Sequence, residues 1–296
     1  MGKSFLNTKY NIIQGPMAQI TLGAFAGEVS KNGALGVIAG GGLDADRLQH
    51  EIRIARNITK NPIGVNVMLR SANIESLIDV ILKEKVEVIT YGTGDIKPFI
   101  KALKDHNVYL IALVNTVEKA IQAEKDGADM LVCEGTEAGG HVGKVTTFTL
   151  IPQVVDAVQI PVFAAGGIAD KRGVNAALAL GAQGVQVGTR FIASYECPLP
   201  EAYKNAILMA RDVDTTITGR KFGSGVRVLN NKMAQDYINL EYSDASFDDL
   251  EKITKGSLKR SVIDGDIETG SVMMGQVSGL IHDILSIEDI IQSLID

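Results

Sequence analysis

The sequence of 296 residues contains no tryptophan, only two cysteines and few aromatic residues, which make up 5% of the chain. The two cysteines, Cys133 and Cys197, provide neither a disulfide framework nor the spacing of a metal site. No apolar run reaches the roughly 18 residues that a transmembrane helix requires. The amino-terminal residues lack the apolar core of a signal peptide. We therefore expect a protein of the reducing cytoplasm without a membrane span.

The chain also lacks an excess of positive charge. Lysine and arginine number 29 against 35 aspartates and glutamates, which gives a formal net charge of −6. A net negative protein has no general attraction to nucleic acids or to anionic membranes, so we expect neither as a partner. The hydrophobic fraction of 46% and the charged fraction of 22% are ordinary for a soluble globular protein.

What the sequence does contain is a regular alternation of short apolar runs and amphipathic segments. Eight apolar runs, from Ile12–Gln14 to Gly184–Val187, are typical of parallel strands buried on both faces. The segments between them repeat apolar residues at the spacing of a helix with one buried face. Eight such units predict an α/β fold, a (β/α)8 TIM barrel. An open doubly wound sheet is the alternative, although Gly-x-Gly-x-x-Gly is absent after the first strand.

The alternation changes after residue 196. A helix is predicted from Pro200 to Arg211, followed by polar stretches and less regular helices. The apolar residues that follow Gly270 predict another helix. A last helix is expected around Ile287 and Ile291. We therefore predict a barrel made of residues 1–196 and 271–296, with a smaller helical lid of residues 197–270.

The loop from Gly135 to Lys144 is the strongest candidate for chemistry. It follows a predicted buried strand, and TIM barrels place their active sites in the loops after the strands. Glycines there let the backbone approach a ligand closely, and His141 can exchange protons near neutral pH. We predict that His141 is catalytic, with a plain glycine-rich connection as the alternative. Glu134 and Glu137 are candidates for an acid and base pair, or for solvated or structural roles.

Glycines also follow the last two predicted strands, at Gly166-Gly167 and Gly188. In barrels, these two loops commonly bind phosphate through backbone N–H groups. Because the Gly-x-x-x-x-Gly-Lys-Ser/Thr loop is absent, we expect a phosphorylated cofactor rather than a nucleoside triphosphate. The other strand ends carry mainly uncharged residues, including Asn66 and Thr90, which suit a flat heteroaromatic ring. No metal-ligand set is apparent there, and none is predicted.

Several of these motifs resemble those of a known superfamily. Segments similar to the flavin-dependent nitronate monooxygenase and enoyl reductase superfamily are residues 14–17, 64–66, 137–141, 165–169 and 186–190. Segments that resemble the bacterial FMN-dependent enoyl-[acyl-carrier-protein] reductase II more specifically are residues 141–144 with 146–147, residues 211–216, and residues 270–273 with 275–276. Residues 219–224 of the predicted lid depart from the reductase pattern.

The resemblance implies FMN as cofactor, NADH or NADPH as electron donor, and a trans-2-enoyl thioester on acyl-carrier protein as acceptor. His141 would donate the proton that completes the α-carbon, or would polarise the thioester carbonyl. The main alternative is the oxidation of alkyl nitronates with O2, with His141 as a base. A lesser alternative is a non-catalytic flavin-binding protein. We also expect a homodimer.

The predicted cofactor site combines the strand ends with the glycine-rich loops. Its residues are Gly15, Pro16, Met17, Asn66, Thr90, Glu134, Gly139, Gly140, Ala165, Gly166, Gly167, Val187, Gly188 and Thr189.

Charge is unevenly distributed along the predicted lid and its flanks. Residues 190–232 contain seven basic and four acidic residues, whereas residues 233–268 contain four basic and nine acidic residues. If the substrate is carried by an acidic protein, the basic segment would steer it to the barrel mouth. The alternative is two solvated surfaces without a partner.

Overall fold

The computed structural model describes residues 4–296, and its centre is a parallel sheet of eight strands. Strands β1 to β9 are Ile12–Gln14, Gly36–Ala39, Ile63–Val67, Val88–Tyr91, Tyr109–Val114, Met130–Glu134, Gly140–His141, Val162–Ala165 and Gly184–Val187. Only β7, the pair Gly140–His141, lies outside this sheet, whose order is β1-β9-β8-β6-β5-β4-β3-β2. A parallel bridge between Ile13 and Leu35 joins the two ends of the sheet. The predicted TIM barrel is confirmed.

Helices cover the outside of the barrel. Helices α1 to α8 are Gly23–Lys31, Ala45–Ile58, Ile74–Lys83, Lys97–Asp105, Val117–Lys125, Thr147–Ala157, Lys171–Ala179 and Thr189–Ile192. Their buried faces pack on the outward residues of the strands, which explains the helical spacing of apolar residues in the sequence. None of the helices in residues 4–296 combines the length and apolar character needed to cross a bilayer.

Two separate apolar clusters follow from the alternation of side chains along each strand. In β6, Leu131 and Cys133 face the helices, whereas Met130 and Val132 face the barrel interior together with Phe163. Successive strand residues point to opposite faces. The next inward position in β6 is Glu134, so the sequence places a carboxyl group at the mouth of the barrel.

The segment after the barrel strands contains the predicted helices and two strands that the sequence analysis did not identify. Its helices are α9 to α12, Glu201–Met209, Lys232–Glu241, Phe247–Thr254 and Ser257–Val262, and its strands are β10 and β11, Thr215–Thr218 and Val226–Leu229. Strands β10, β11 and β7 form an antiparallel sheet in that order. The segment is therefore tied by backbone hydrogen bonds to the loop after β6.

The helix predicted to begin at Gly270 does not form. Residues 271–275 are irregular and lead into a 3-10 turn, Gln276–Leu280. Their backbone groups bond to distant partners instead, since the Ser271 N–H donates to the Ser257 carbonyl and the Gly275 N–H donates to Thr189 Oγ1. The last helix, α13, spans Ile287–Ser293 as expected and contacts α1 and α8.

The domain boundaries at residues 196/197 and 270/271 stay predictions. Residues 1–3, which belong to the amino-terminal segment interpreted as lacking a signal peptide, lie outside the described residues.

Candidate active site

The carboxyl ends of the barrel strands surround a pocket that opens to solvent. Its volume is about 330 Å³ including the open part, and it is lined by Pro16, Asn66, Thr90, Ile111, Leu113, Val132, Glu134 and Gln186. Ile111 and Val132 belong to the apolar interior of the barrel. Asn66 Nδ2 donates to Thr90 Oγ1 at 2.9 Å, which fixes both side chains at the rim. An apolar floor with a few polar groups suits a flat heteroaromatic ligand.

Glu134 lies at the same level of the barrel as Ala165 and Gln186, at the ends of the next two strands of the sheet. It pairs with Ala165 of β8, and Ala165 pairs with Gln186 of β9. Burial raises the pKa of the Glu134 carboxyl to about 8. Because desolvation disfavours the ionised form, this group is mainly protonated at neutral pH.

Glu137 has a different role, although it lies in the same segment. Both of its carboxylate oxygens accept the backbone N–H of Thr147 at 2.9 Å, at the start of α6. The first N–H groups of a helix lack partners within the helix, so this contact stabilises α6. The Thr147 hydroxyl lies 3.0 Å from Glu137 Oε2 and 2.9 Å from the carbonyl oxygen of Gly166. Of the two alternatives for Glu137, the structure therefore favours the structural one.

The loops after β8 and β9 expose backbone donors. Gly166 and Gly167 have φ values of +96° and +77°, which glycine adopts easily. The N–H groups of Gly166, Gly167 and Gly188 donate to no acceptor within residues 4–296. A Cβ added at Gly188 would meet only Met17 Sδ, at 3.9 Å, so the space above it is open. This arrangement has the donors and the room for a phosphate group.

The His141 loop is held by the antiparallel sheet. Gly140 pairs with Arg227 and His141 pairs with Val226 of β11. The Arg227 side chain is only 5% exposed, and its Nε donates to the Thr136 carbonyl at 3.0 Å. Burial lowers the pKa of the Arg227 guanidinium, and the nearby charge of Arg220 adds to this effect. The His141 side chain itself is exposed, and His141 does not line the pocket that contains Glu134.

Residues 274–276 join the His141 loop to the end of β9. A Cβ at Gly139 would lie 2.7 Å from the Met274 carbonyl carbon, so only glycine permits this approach. Thr189 Oγ1 accepts the Gly275 N–H at 3.0 Å, and the Gln276 N–H donates to the Glu137 carbonyl at 2.9 Å. Gly139 and the Thr189 hydroxyl thus have packing roles in addition to their predicted place in the cofactor site.

The structure brings the predicted site residues into three adjoining groups. The first group lines the pocket and consists of Pro16, Asn66, Thr90 and Glu134. The second group lies at the ends of β8 and β9, next to Gly15 and Met17, and consists of Ala165, Gly166, Gly167, Val187, Gly188 and Thr189. The third group is Gly139, Gly140 and His141. Their roles in binding and catalysis stay predictions. No individual role was predicted for Gln186 or for Arg227, which was counted only among the basic residues of segment 190–232. The inward alternation of β9 indicates Gln186, whereas no local pattern indicates the buried contact of Arg227.

A family comparison agrees with this site. The model of the nitronate monooxygenase family matches residues 2–77 and 70–296. The chain belongs to the nitronate monooxygenase family. One curated relative, a probable nitronate monooxygenase of Staphylococcus aureus strain MRSA252, is 34% identical over 318 residues, with 92% of this chain and 89% of the relative covered.

Two kinds of enzyme are among the solved structures that the chain resembles. FabK from Thermotoga maritima matches with a TM-score of 0.94 and 41% identity, covering 98% of this chain and 92% of FabK. Nitroalkane oxidase from Streptomyces ansochromogenes matches with a TM-score of 0.87 and 27% identity, covering 97% and 95%. These findings confirm the predicted resemblance to the FabK branch, enoyl-[acyl-carrier-protein] reductase II, and the chain is a flavin-dependent oxidoreductase.

The residues at the barrel mouth fit a flavin. The pocket offers an apolar floor for a ring and polar groups for its edge, on Asn66, Thr90 and Glu134. The unpaired N–H groups of Gly166, Gly167 and Gly188 offer donors to a phosphate. No group of three or more metal-ligating side chains occurs within the described residues.

Proposed function

We propose that this protein is an FMN-dependent enoyl-[acyl-carrier-protein] reductase, which uses NADH or NADPH to reduce trans-2-enoyl thioesters in bacterial fatty acid elongation. The observation that carries the proposal is the similarity to FabK over almost the whole chain, at 41% identity against 27% for nitroalkane oxidase. The proposed location is the cytoplasm. The predicted homodimer stays a prediction.

We assign FMN rather than FAD because the barrel has one predicted phosphate site and no dinucleotide fingerprint after β1. The N–H groups of Gly166, Gly167 and Gly188 would hold the phosphate, and the pocket with Asn66, Thr90 and Glu134 would hold the ring. When bound, FMN supplies hydride transfer from the nicotinamide to the substrate. The protein supplies position and electrostatics.

His141 supplies the proton in this proposal. Hydride addition at the β-carbon of an enoyl thioester leaves negative charge shared between the α-carbon and the thioester oxygen. A protonated imidazole neutralises this charge by donating its proton to the α-carbon. The side chain is exposed, so His141 regains its proton from solvent. Its backbone is fixed by pairing with β11, which positions the loop that carries the imidazole.

Nitronate oxidation is the second candidate. It is favoured by the family model and by the Staphylococcus aureus relatives, which are named as probable nitronate monooxygenases. In that reaction His141 would act as a base, and O2 would be consumed. The lesser alternative, a flavin-binding protein without catalysis, would show neither reaction.

Steady-state assays distinguish these functions. The reductase proposal predicts NADH or NADPH oxidation that depends on crotonyl thioester, above the background rate without thioester. Propyl nitronate with O2 should then give little turnover. A kcat/KM for propyl nitronate far above that for crotonyl thioester would contradict the proposal.

We also propose that acyl-carrier protein is the partner that presents the substrate. In the structure, most of the basic residues in segment 190–232 are not available to an acidic partner. The five residues of the basic segment that are buried or ion-paired are Arg190, Lys204, Arg211, Arg227 and Lys232. Arg220 and Lys221 remain exposed without a carboxylate within ion-pair distance in the described residues, and Arg220 Nη2 lies 3.4 Å from Thr136 Oγ1 in the loop of His141.

A further inference from the structure

Glu134 is the one acidic side chain that lines the mouth pocket. The alternation along β6 turns it inward, directly above Val132 in the interior of the barrel. Its neighbours across the sheet are Ala165, which has no polar side-chain atom, and, one strand further, Gln186. The carboxyl group therefore faces the space that we assign to the flavin ring.

The Glu134 carboxyl has no hydrogen bond and no ion pair with any group in residues 4–296. The nearby Asn66 amide donates to Thr90 instead. Glu134 is half-buried at the pocket. A carboxylate that is partly withdrawn from water without a partner is costly, and the group avoids the cost by keeping its proton. This leaves an O–H donor at the pocket with no acceptor in the protein.

An oxidised flavin ring presents acceptors at its two carbonyl oxygens and at N1 and N5, and a single donor at N3–H. A neutral acid can donate to such an acceptor, whereas a carboxylate would place two lone-pair-bearing oxygens against it. We propose that Glu134 binds the flavin ring as a neutral carboxylic acid that donates a hydrogen bond, so that flavin affinity is linked to its protonation. This inference rests on the proposed place of FMN at the barrel mouth.

The direction in which FMN affinity changes with pH follows from the coupling between FMN binding and the protonation of Glu134. Burial raises the pKa of the free carboxyl to about 8, and a ligand that prefers the neutral form raises the pKa further. Affinity for FMN is then constant at lower pH and falls as the pH rises through the pKa of the free protein. The limiting slope is about tenfold in Kd per pH unit.

The test measures the Kd of FMN for the apoprotein by quenching of flavin fluorescence between pH 7 and pH 9.5. This range lies above the second phosphate pKa of about 6, so the phosphate charge is constant. Glu134→Gln keeps a donor of similar shape but cannot titrate, so its Kd should be independent of pH. Glu118→Gln removes an exposed carboxylate elsewhere, and its profile should match that of the wild type.

Proton uptake by the wild-type protein provides a second measurement that needs no variant. At pH 8.5 in weak buffer, FMN binding should take up a substantial fraction of one proton. Parallel pH profiles in wild type and Glu134→Gln, or binding without proton uptake, would overturn the role of Glu134 but leave the FMN site intact. A wild-type protein that binds no FMN at any pH would overturn the proposed cofactor, and this inference with it.

Discussion

Val226 pairs with His141 in antiparallel register, so a strand of the segment after the barrel fixes the backbone of the proposed proton donor. The contact joins two parts of the chain that are far apart in sequence. The next residue of the strand, Arg227, donates a hydrogen bond from Nε to the Thr136 carbonyl in the same loop. Catalysis at the barrel mouth is therefore expected to depend on residues that touch neither flavin nor substrate.

Arg227→Gln should lower kcat with little change in FMN affinity. The variant loses the contact between Nε and the Thr136 carbonyl, so the loop of His141 becomes less well positioned. Misplacing a catalytic group by about 1 Å can reduce rates about 10²-fold. Steady-state kinetics and flavin fluorescence measure the two quantities. Arg211→Gln, an exposed change in the same segment, is the matched control, and equal effects of both changes would contradict the positioning role.

His141→Ala should retain FMN but lose turnover. Removing a positioned acid or base typically reduces the rate by about 10²–10⁴-fold. His106, an exposed histidine beside α4, provides the control variant His106→Ala, which should be as active as the wild type. If His141→Ala keeps the wild-type kcat/KM for every active substrate, His141 is a structural residue.

Gly167→Val should abolish FMN binding, because a β-branched side chain would occupy the space of the phosphate. Gly167 also has φ of +77°, so valine would strain the backbone. Gly188→Ala is the cleaner test, since its φ of −111° lies outside the left-handed region that favours glycine and an added Cβ has no neighbour closer than 3.9 Å. We expect weaker FMN binding with an unchanged Tm of the apoprotein. Full FMN occupancy in both variants would place the phosphate elsewhere.

The barrel could be predicted from the sequence because its signals are local. Strand and helix spacings recur along the chain, and each predicted barrel strand is present in the structure. The predicted helix after Gly270 was wrong because the backbone groups of this segment bond to Ser257 and Thr189, which a local pattern does not reveal.

The sequence predicts which loops form the candidate site, but it does not predict the different roles of Glu134 and Glu137. Glu134 and Glu137 lie three positions apart in one glycine-rich segment, and the sequence gives no reason to separate them. The difference depends on Thr147, which binds Glu137 at the start of α6, and on the inward direction of Glu134, which lines the mouth pocket. Strand β11 was missed because its partners, β10 and β7, are short and lie in different parts of the chain.

The double change Arg220→Glu with Lys221→Glu should raise KM for an acyl-carrier-protein substrate, most strongly at low salt. Steering of an acidic partner acts on association and is screened by ions. A short N-acetylcysteamine thioester should be much less affected, because it lacks the protein. Lys255→Glu with Lys259→Glu, in the acidic segment, is the control. Equal effects on both substrates, or no effect on either, would contradict docking at this surface.

The most direct test of the proposed function is an anaerobic turnover in D2O with FMN-loaded protein, NADH and crotonyl thioester, with the product analysed by mass spectrometry. The proposal predicts a saturated butanoyl thioester that carries solvent deuterium at the α-carbon, because the α-carbon receives its proton through a group that exchanges with water. Unchanged crotonyl thioester under these conditions, together with rapid O2 consumption when propyl nitronate is supplied in air, would contradict it.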